Sequence, residues 1–220
     1  MIWYAVPSAR APEETADVFA AWRAQGYQVA LWRDPGAAPV PGVDLTLNGP
    51  YCGYHTAINT LCREILKNDP EADWIVTGGD DIFPDPNHSG PSIAAECTAH
   101  FGGTFGVMQP TGDPWAHPDR ICGSPFMGRE FCRRMYGGRG PWCEAYPHMW
   151  GDEEMHDICL ARGILWNRPD LAHYHRHFQR GPNRAAKPAW MVRNDSCYEI
   201  FKPLFQQRKA AGFPGHVPIP

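Results

Sequence analysis

Residues 73–81, Asp-Trp-Ile-Val-Thr-Gly-Gly-Asp-Asp, constrain the fold more than any other stretch. The run from Trp74 to Val76 is apolar without the period of two that marks a half-exposed strand. Such a run predicts a strand buried on both faces, the central strand of a sheet with helices above and below. Just upstream, Tyr54, Ala57, Ile58, Leu61, Ile65 and Leu66 recur at helical spacing. The same alternation holds from the N-terminus. Residues 2–7 suit a first strand, and Val18, Phe19 and Trp22 mark a helix between Pro12 and Gly26. Residues 27–34 and 43–47 suit two further strands. Strand, helix, strand, strand, helix, strand predicts an α/β protein with a mostly parallel central sheet flanked by helices.

Downstream, a helix is predicted over 90–100, a strand at 103–110, and a strand passing into a helix at 124–136. Residues 151–163 read as a helix with acid in its first turn and Arg162–Gly163 at its end, followed by a last strand at 164–169. From Ala172 the chain reads as loop-rich, with a short segment near 197–210 that Pro203 is expected to break.

In open α/β sheets, ligands sit beyond the carboxyl ends of the strands. Pro7, Ser8, Asp34, Asp80 and Asp81 all fall at such ends. Asp80, Asp81 and nearby Asp85 are costly neighbours unless they fan into water or share a cation. Paired carboxylates are hard ligands, suited to Mg²⁺ or Mn²⁺ rather than zinc. The plain alternative is a Gly-Asp-Asp surface turn, and Asp34 in Arg-Asp-Pro-Gly has the same alternative.

Asp152, Glu153 and Glu154 open a helix on which successive side chains point about 100° apart, so one of them is expected to face a site. Asp152 is preferred as a base and Glu153 next, against the reading that all three decorate a helix N-terminus. His173, His175 and His177 share a face if extended. They could join a metal shell, build a zinc site with Cys122, Cys132 or Cys143, or be ordinary histidines. The eight cysteines contain no Cys-x-x-Cys pair, so reduced, mostly buried thiols are expected.

These segments together resemble nucleotide-sugar glycosyltransferases of the GT-A fold. WIVTGGDDIFPDP occupies the place of the Asp-x-Asp motif, with Gly79 where the first Asp often stands. GPYCGYHTAINTLC is similar to the small-residue helix start of that group, GSPFMGREFC to its acceptor-side strand and helix, and MWGDEEMHDICLARG to its acidic motif before a helix. The resemblance spans roughly residues 2–177. It implies a Rossmann-like GT-A catalytic domain over 1–177, with residues 178–220 a basic lid or tail packed on the same domain. It implies a divalent cation, Mn²⁺ or Mg²⁺, held by Asp81, Asp80 and a histidine, His175 before His173. It further implies a donor site from Pro7, Ser8, Arg10, Asp34, Asp80, Arg176 and Arg180, and a base at Asp152 or Glu153. A UDP-sugar is the leading donor, and inversion follows from the resemblance alone. The compact form is similar to small bacteriophage enzymes that glycosylate hydroxymethylated bases in DNA. A small-molecule, glycan or protein hydroxyl is an equal acceptor.

Charge supplies the rival reading. Residues 1–172 carry 12 Lys/Arg against 22 Asp/Glu, while 173–220 carry 8 against 2. A basic tail after an acidic body could close over an anion or touch nucleic acid. Arg176, Arg180, Arg184 and Lys187 would supply the cations, and Trp166, Tyr174, Phe178 and Trp190 the stacking surfaces. The overall net charge of −4 opposes nucleic-acid binding as the main role. A nucleotidyltransferase would also use paired Asp and Mg²⁺, but it calls for a basic Gly-rich loop after the first strand, and VPSARAPEE is a poor match. The N-terminus lacks the basic start and long apolar core of a signal peptide, and no apolar run is long enough to span a bilayer. A soluble, cytoplasmic protein with no membrane partner is therefore expected.

Overall fold

The computed structural model describes residues 1–180, 187 and 189–216. Arg184 and the Trp190 side chain, singled out above, lie outside the described residues. Nine strands and six α-helices follow in the order β1 (Ile2–Pro7), α1 (Pro12–Ala24), β2 (Gln28–Arg33), β3 (Leu45–Asn48), α2 (Tyr54–Asn68), β4 (Trp74–Thr77), β5 (Ile82–Phe83), α3 (Gly90–Phe101), β6 (Val107–Pro110), β7 (Phe126–Gly128), α4 (Arg129–Arg134), α5 (Gly151–Ala161), β8 (Leu165–Arg168), β9 (Tyr174–His175) and α6 (Ala189–Ala210). Seven strands form one sheet in the order β3-β2-β1-β4-β7-β6-β8. Its β1–β4 half is parallel, β7 runs antiparallel to both neighbours, and β8 is parallel to β6.

Period-two alternation along β1 sorts the core. Trp3 and Ala5 pack with Ile58, Leu61 and Ile65 of α2 on one face. Ile2, Tyr4 and Val6 pack with Val18, Phe19 and Trp22 of α1 on the other. β4 is buried along its whole length, as its unbroken apolar pattern requires. All eight cysteines are free thiols, and six of them are buried. No helix among the described residues is long and apolar enough to cross a membrane.

Two features depart from the expectations. First, Pro203 does not break the C-terminal segment: α6 runs through it for 22 residues. Contacts on both sides of the proline hold it, since Trp150 stacks on Tyr198 at 4.2 Å and on Phe205 at 4.5 Å. That packing offsets the single backbone hydrogen bond a proline forfeits. Second, β5 and β9 form a separate antiparallel ribbon, with Ile82 opposite His175 and Phe83 opposite Tyr174. Two-residue strands carry no periodicity, so sequence pattern cannot reveal them.

The basic tail is folded onto the acidic body. Arg176 pairs with Asp17, Arg180 with Asp113, Arg208 with Glu154 and Lys209 with Asp157. Lys187 pairs with Asp195, and Lys202 with Glu199, inside the tail itself.

Candidate active site

A cleft of about 1240 Å³ opens beyond the carboxyl ends of β1, β2, β4 and β6. Pro7, Ser8 and Arg10 line it from the end of β1, Trp32 and Asp34 from β2, and Gly78 to Ile82 from β4. Gln109, Pro110, Asp113 and Trp115 enter beyond β6. Tyr54 and His55 of α2, Trp142, His148 and Asp152 complete the wall, with Met191, Asn194 and Cys197 of α6.

The acid after β4 is tightly organised. Asp80 accepts from Ser8 Oγ at 2.5 Å and from Arg10 Nε at 3.0 Å. Asp81 accepts from Arg10 Nη2 at 3.0 Å, and its other oxygen lies 3.2 Å from His175 Nε2. The β5–β9 ribbon is what delivers His175: the Arg176 amide donates to the Asp81 carbonyl at 2.8 Å, fixing the register. Burial pushes the Asp81 carboxyl up, but His175 and Arg10 outweigh it and hold the group below its ordinary range. At Asp80 burial wins over the Ser8 bond and Arg10, and the carboxyl is raised. A Cβ on Gly79 would fall 2.6 Å from Asp81 Oδ1, so a side chain there would push the Asp81 carboxylate out of its present place.

His173 does not join His175. Its Nδ1 bonds Ser124 Oγ at 2.8 Å and its ring packs edge-on against Trp22 at 5.1 Å. Burial drives it down to about 3, so it is a neutral ring at the base of the cleft. His177 packs on Phe178 and beside Trp115, away from any cysteine pair. Among the described residues no three His, Cys, Asp or Glu side chains are already disposed around one point for an ion, so neither the zinc alternative nor the Asp80–Asp81–His175 set is a preformed metal site. The arrangement still fits a magnesium-type ion, which takes few protein ligands and fills its shell from water and phosphate. Asp81 Oδ1 and His175 Nε2 already meet at 3.2 Å on the cleft wall, so both groups could turn to one ion there.

At the α5 end the three acids separate as helix geometry requires. Asp152 lines the cleft. Glu154 is fully buried and accepts from Tyr136 Oη, Tyr146 Oη and the Arg208 guanidinium. Glu153 is also buried, outside the cleft wall. Burial, and then the hydrogen bond and charge of Asp152, push it up to about 9. It therefore keeps its proton at neutral pH, next to Asp152 in the first turn of α5. Glu153 holds a proton that the unfolded chain releases near its ordinary 4.5, so stability should fall as pH rises from about 4.5 to about 9. Glu153→Gln removes that titration. Urea unfolding at pH 5 and pH 8 should show the variant gaining on wild type by on the order of 4 kcal/mol at the higher pH.

Neither Arg176 nor Arg180 lines the cleft. Arg176 lies against α1 on Asp17, and Arg180 forms two bonds to Asp113, at 2.7 and 2.9 Å. Asp34 lines the cleft and also closes a turn through its carbonyl, which accepts from the Ala37 amide at 3.1 Å. Sequence reasoning missed Tyr54, His55, Trp142 and His148. His55 Nδ1 bonds the Tyr146 carbonyl at 2.7 Å, and its ring packs against Gly151, where a Cβ would fall 2.2 Å from Nε2. Asn59, buried in α2, clamps both backbone groups of Trp142. Burial, with His55 second, lowers His148 to about 4, so it too is neutral. Only the proximity of His55 and His148 to the quoted helix-start and acidic motifs could have flagged them.

No family model and no curated protein matches the chain. Among solved structures, the catalytic domain of Drosophila beta1,4galactosyltransferase 7, in complex with xylobiose, aligns at 15% identity with a TM-score of 0.50, over 88% of this chain and 79% of that one. This chain shares its fold. A mutant of the same enzyme in complex with manganese, UDP-Gal and xylobiose aligns at 14% identity and TM-score 0.48, over 88% of this chain and 78% of that one. A glycosyltransferase involved in glycosylation of the major capsid of PBCV-1 aligns at 11% identity and TM-score 0.35, over 59% and 61%.

Proposed function

We propose that the protein is a metal-dependent glycosyltransferase that moves a sugar from a nucleoside-diphosphate sugar, a UDP-sugar first, to an acceptor hydroxyl, with inversion. The observation that carries this reading is the cleft itself: the Asp80–Asp81–His175 cluster and Asp152 reach one cavity from separate elements. The shared fold with a galactosyltransferase catalytic domain supports it.

Asp81, Asp80 and His175 are the residues that would hold Mn²⁺ or Mg²⁺, which supplies Lewis-acid stabilisation of a diphosphate leaving group. Ser8 and the backbone of residues 8–10 would carry the nucleotide side, with Trp32 and Asp34 beyond β2. Asp152 takes the proton of the acceptor hydroxyl. The described cations of the tail are spent on Asp17, Asp113, Glu154, Asp157, Asp195 and Glu199, which leaves the nucleic-acid reading without its main support. A sugar, or another small hydroxyl compound, suits the aromatic cleft wall better than a polyanion does.

Calorimetry with UDP, GDP, CDP and TDP, with and without Mn²⁺, tests the reading. One diphosphate should bind in a manganese-dependent way, and Asp81→Asn should weaken it by on the order of 100-fold, at least what loss of an outer-shell partner costs a metal site. Failure of every diphosphate to bind under either condition would refute the assignment.

A further inference from the structure

In this structure all four carboxylate oxygens of Asp80 and Asp81 are taken. Asp80 gives Oδ2 to Ser8 and Oδ1 to Arg10; Asp81 gives Oδ2 to Arg10 and Oδ1 to His175. A divalent cation set between the two acids would take the place of the Arg10 guanidinium, which bridges them at 3.0 Å on each side. The backbone that carries Arg10 is anchored independently. Arg33, itself buried, donates to the carbonyls of Ser8, at 3.2 Å, and Arg10, at 2.6 Å, while the Arg10 amide donates to Ser8 Oγ at 3.2 Å. The Arg10 side chain, by contrast, is 31% exposed and lies on the cleft wall. Its head can leave the acids while its backbone stays in place.

We propose that Arg10 is a resident cation of the Asp80–Asp81 pair, exchanged for the divalent ion when a nucleoside diphosphate arrives, so that the cleft accepts metal and diphosphate together rather than metal alone. This rests on the glycosyltransferase reading of the cleft. Charge favours the exchange. With Arg10 on the acids, an incoming dication must displace a guanidinium with no anion nearby to receive it. With a diphosphate present, the freed guanidinium meets phosphate oxygens, the fork-shaped partners it suits best. The same contact answers why two adjacent acids are tolerated at a buried strand end: they are neutralised from within the chain until the ligand comes.

Free Mn²⁺ measured by electron paramagnetic resonance, with and without UDP, tests this on wild type, Arg10→Gln and Arg10→Lys. Wild type should bind Mn²⁺ weakly alone and at least tenfold more tightly with UDP. Arg10→Gln, with the competing cation gone, should bind Mn²⁺ alone about tenfold more tightly than wild type and lose most of the gain from UDP. Arg10→Lys, which keeps the charge, should stay near wild type without UDP. Mn²⁺ should also raise the Tm of Arg10→Gln more than that of wild type, which checks that the variant folds. Equal or weaker Mn²⁺ affinity in Arg10→Gln, with wild type binding normally, would overturn the exchange alone. Absence of Mn²⁺ binding by wild type and variants, with or without UDP, would overturn the metal assignment and the exchange with it.

Discussion

Asp152→Asn should lower kcat by about 10²–10⁴-fold, the range that a positioned general base contributes, while Mn²⁺-dependent nucleotide binding stays within a few-fold of wild type. The split follows from the architecture. Asp152 enters the cleft from the start of α5, whereas Asp80, Asp81 and His175 come from the β4 end and the β5–β9 ribbon. An asparagine matches the aspartate in size and shape, so the helix start should keep its form and the lost function is proton acceptance. Steady-state kinetics with the donor identified by calorimetry, paired with calorimetry on the variant, separates the two effects. A kcat within tenfold of wild type would remove Asp152 from the role of base and direct attention to neutral His148 or His55, which line the same cleft.

Glu154→Ala should destabilise the fold by about 3–5 kcal/mol, the loss typical when one partner of a buried ion pair is removed. The carboxylate is fully buried and carries four bonds: Tyr136 at 2.7 Å, Tyr146 at 2.8 Å, and Arg208 through Nε at 2.9 Å and Nη2 at 2.7 Å. Its removal leaves two phenols and a guanidinium without their acceptor, each an added desolvation cost. It also removes one of the ties that hold α6 to α5, beside Lys209–Asp157 and the stacking of Trp150 on Tyr198 and Phe205, and α6 supplies Met191, Asn194 and Cys197 to the cleft wall. Urea denaturation should show the lower midpoint, and limited proteolysis should cut within α6 first. Tyr136→Phe should cost only about 1 kcal/mol, because three of the four bonds persist. A Glu154→Ala variant as stable as wild type would mean that the network is structurally idle.

Much of the architecture was legible in the chain because it depends on local pattern. The unbroken apolar run at 74–76 marks a doubly covered strand, and the spacing of Tyr54, Ile58, Leu61 and Ile65 marks the helix that covers it. Gathering Pro7, Ser8, Asp34, Asp80 and Asp81 near one cleft follows from sheet topology, since parallel strands present their carboxyl ends on one side. Helix geometry alone separates Asp152, Glu153 and Glu154, but it does not say which of them turns inward. That was decided by what α5 packs against: Arg208 of α6, 54 residues away in sequence, claims Glu154, and Asp152 is left to the cleft. His173 and His175 would share a face on a continuous strand, but β9 begins at Tyr174, and His173 just before it turns onto Ser124 and Trp22. Pairing of β9 with β5 decided which imidazole meets Asp81.

The tail shows the boundary most clearly. Its excess of positive charge was plain in the sequence and suggested an anionic partner outside the chain. Among the described residues the tertiary structure spends that charge internally, through pairs such as Arg176–Asp17 and Arg180–Asp113 that join residues 159 and 67 positions apart. Composition records how many charges a segment carries; only the folded path decides which opposite charges come within hydrogen-bond reach, because at such separations chain order places no limit on what a side chain meets. The sequence by itself therefore determined the sheet, its covering helices and the acid at a strand end, all set by short-range periodicity. The partner of each acid and each cation was decided by tertiary structure, where burial and ion pairing act between residues the chain holds far apart.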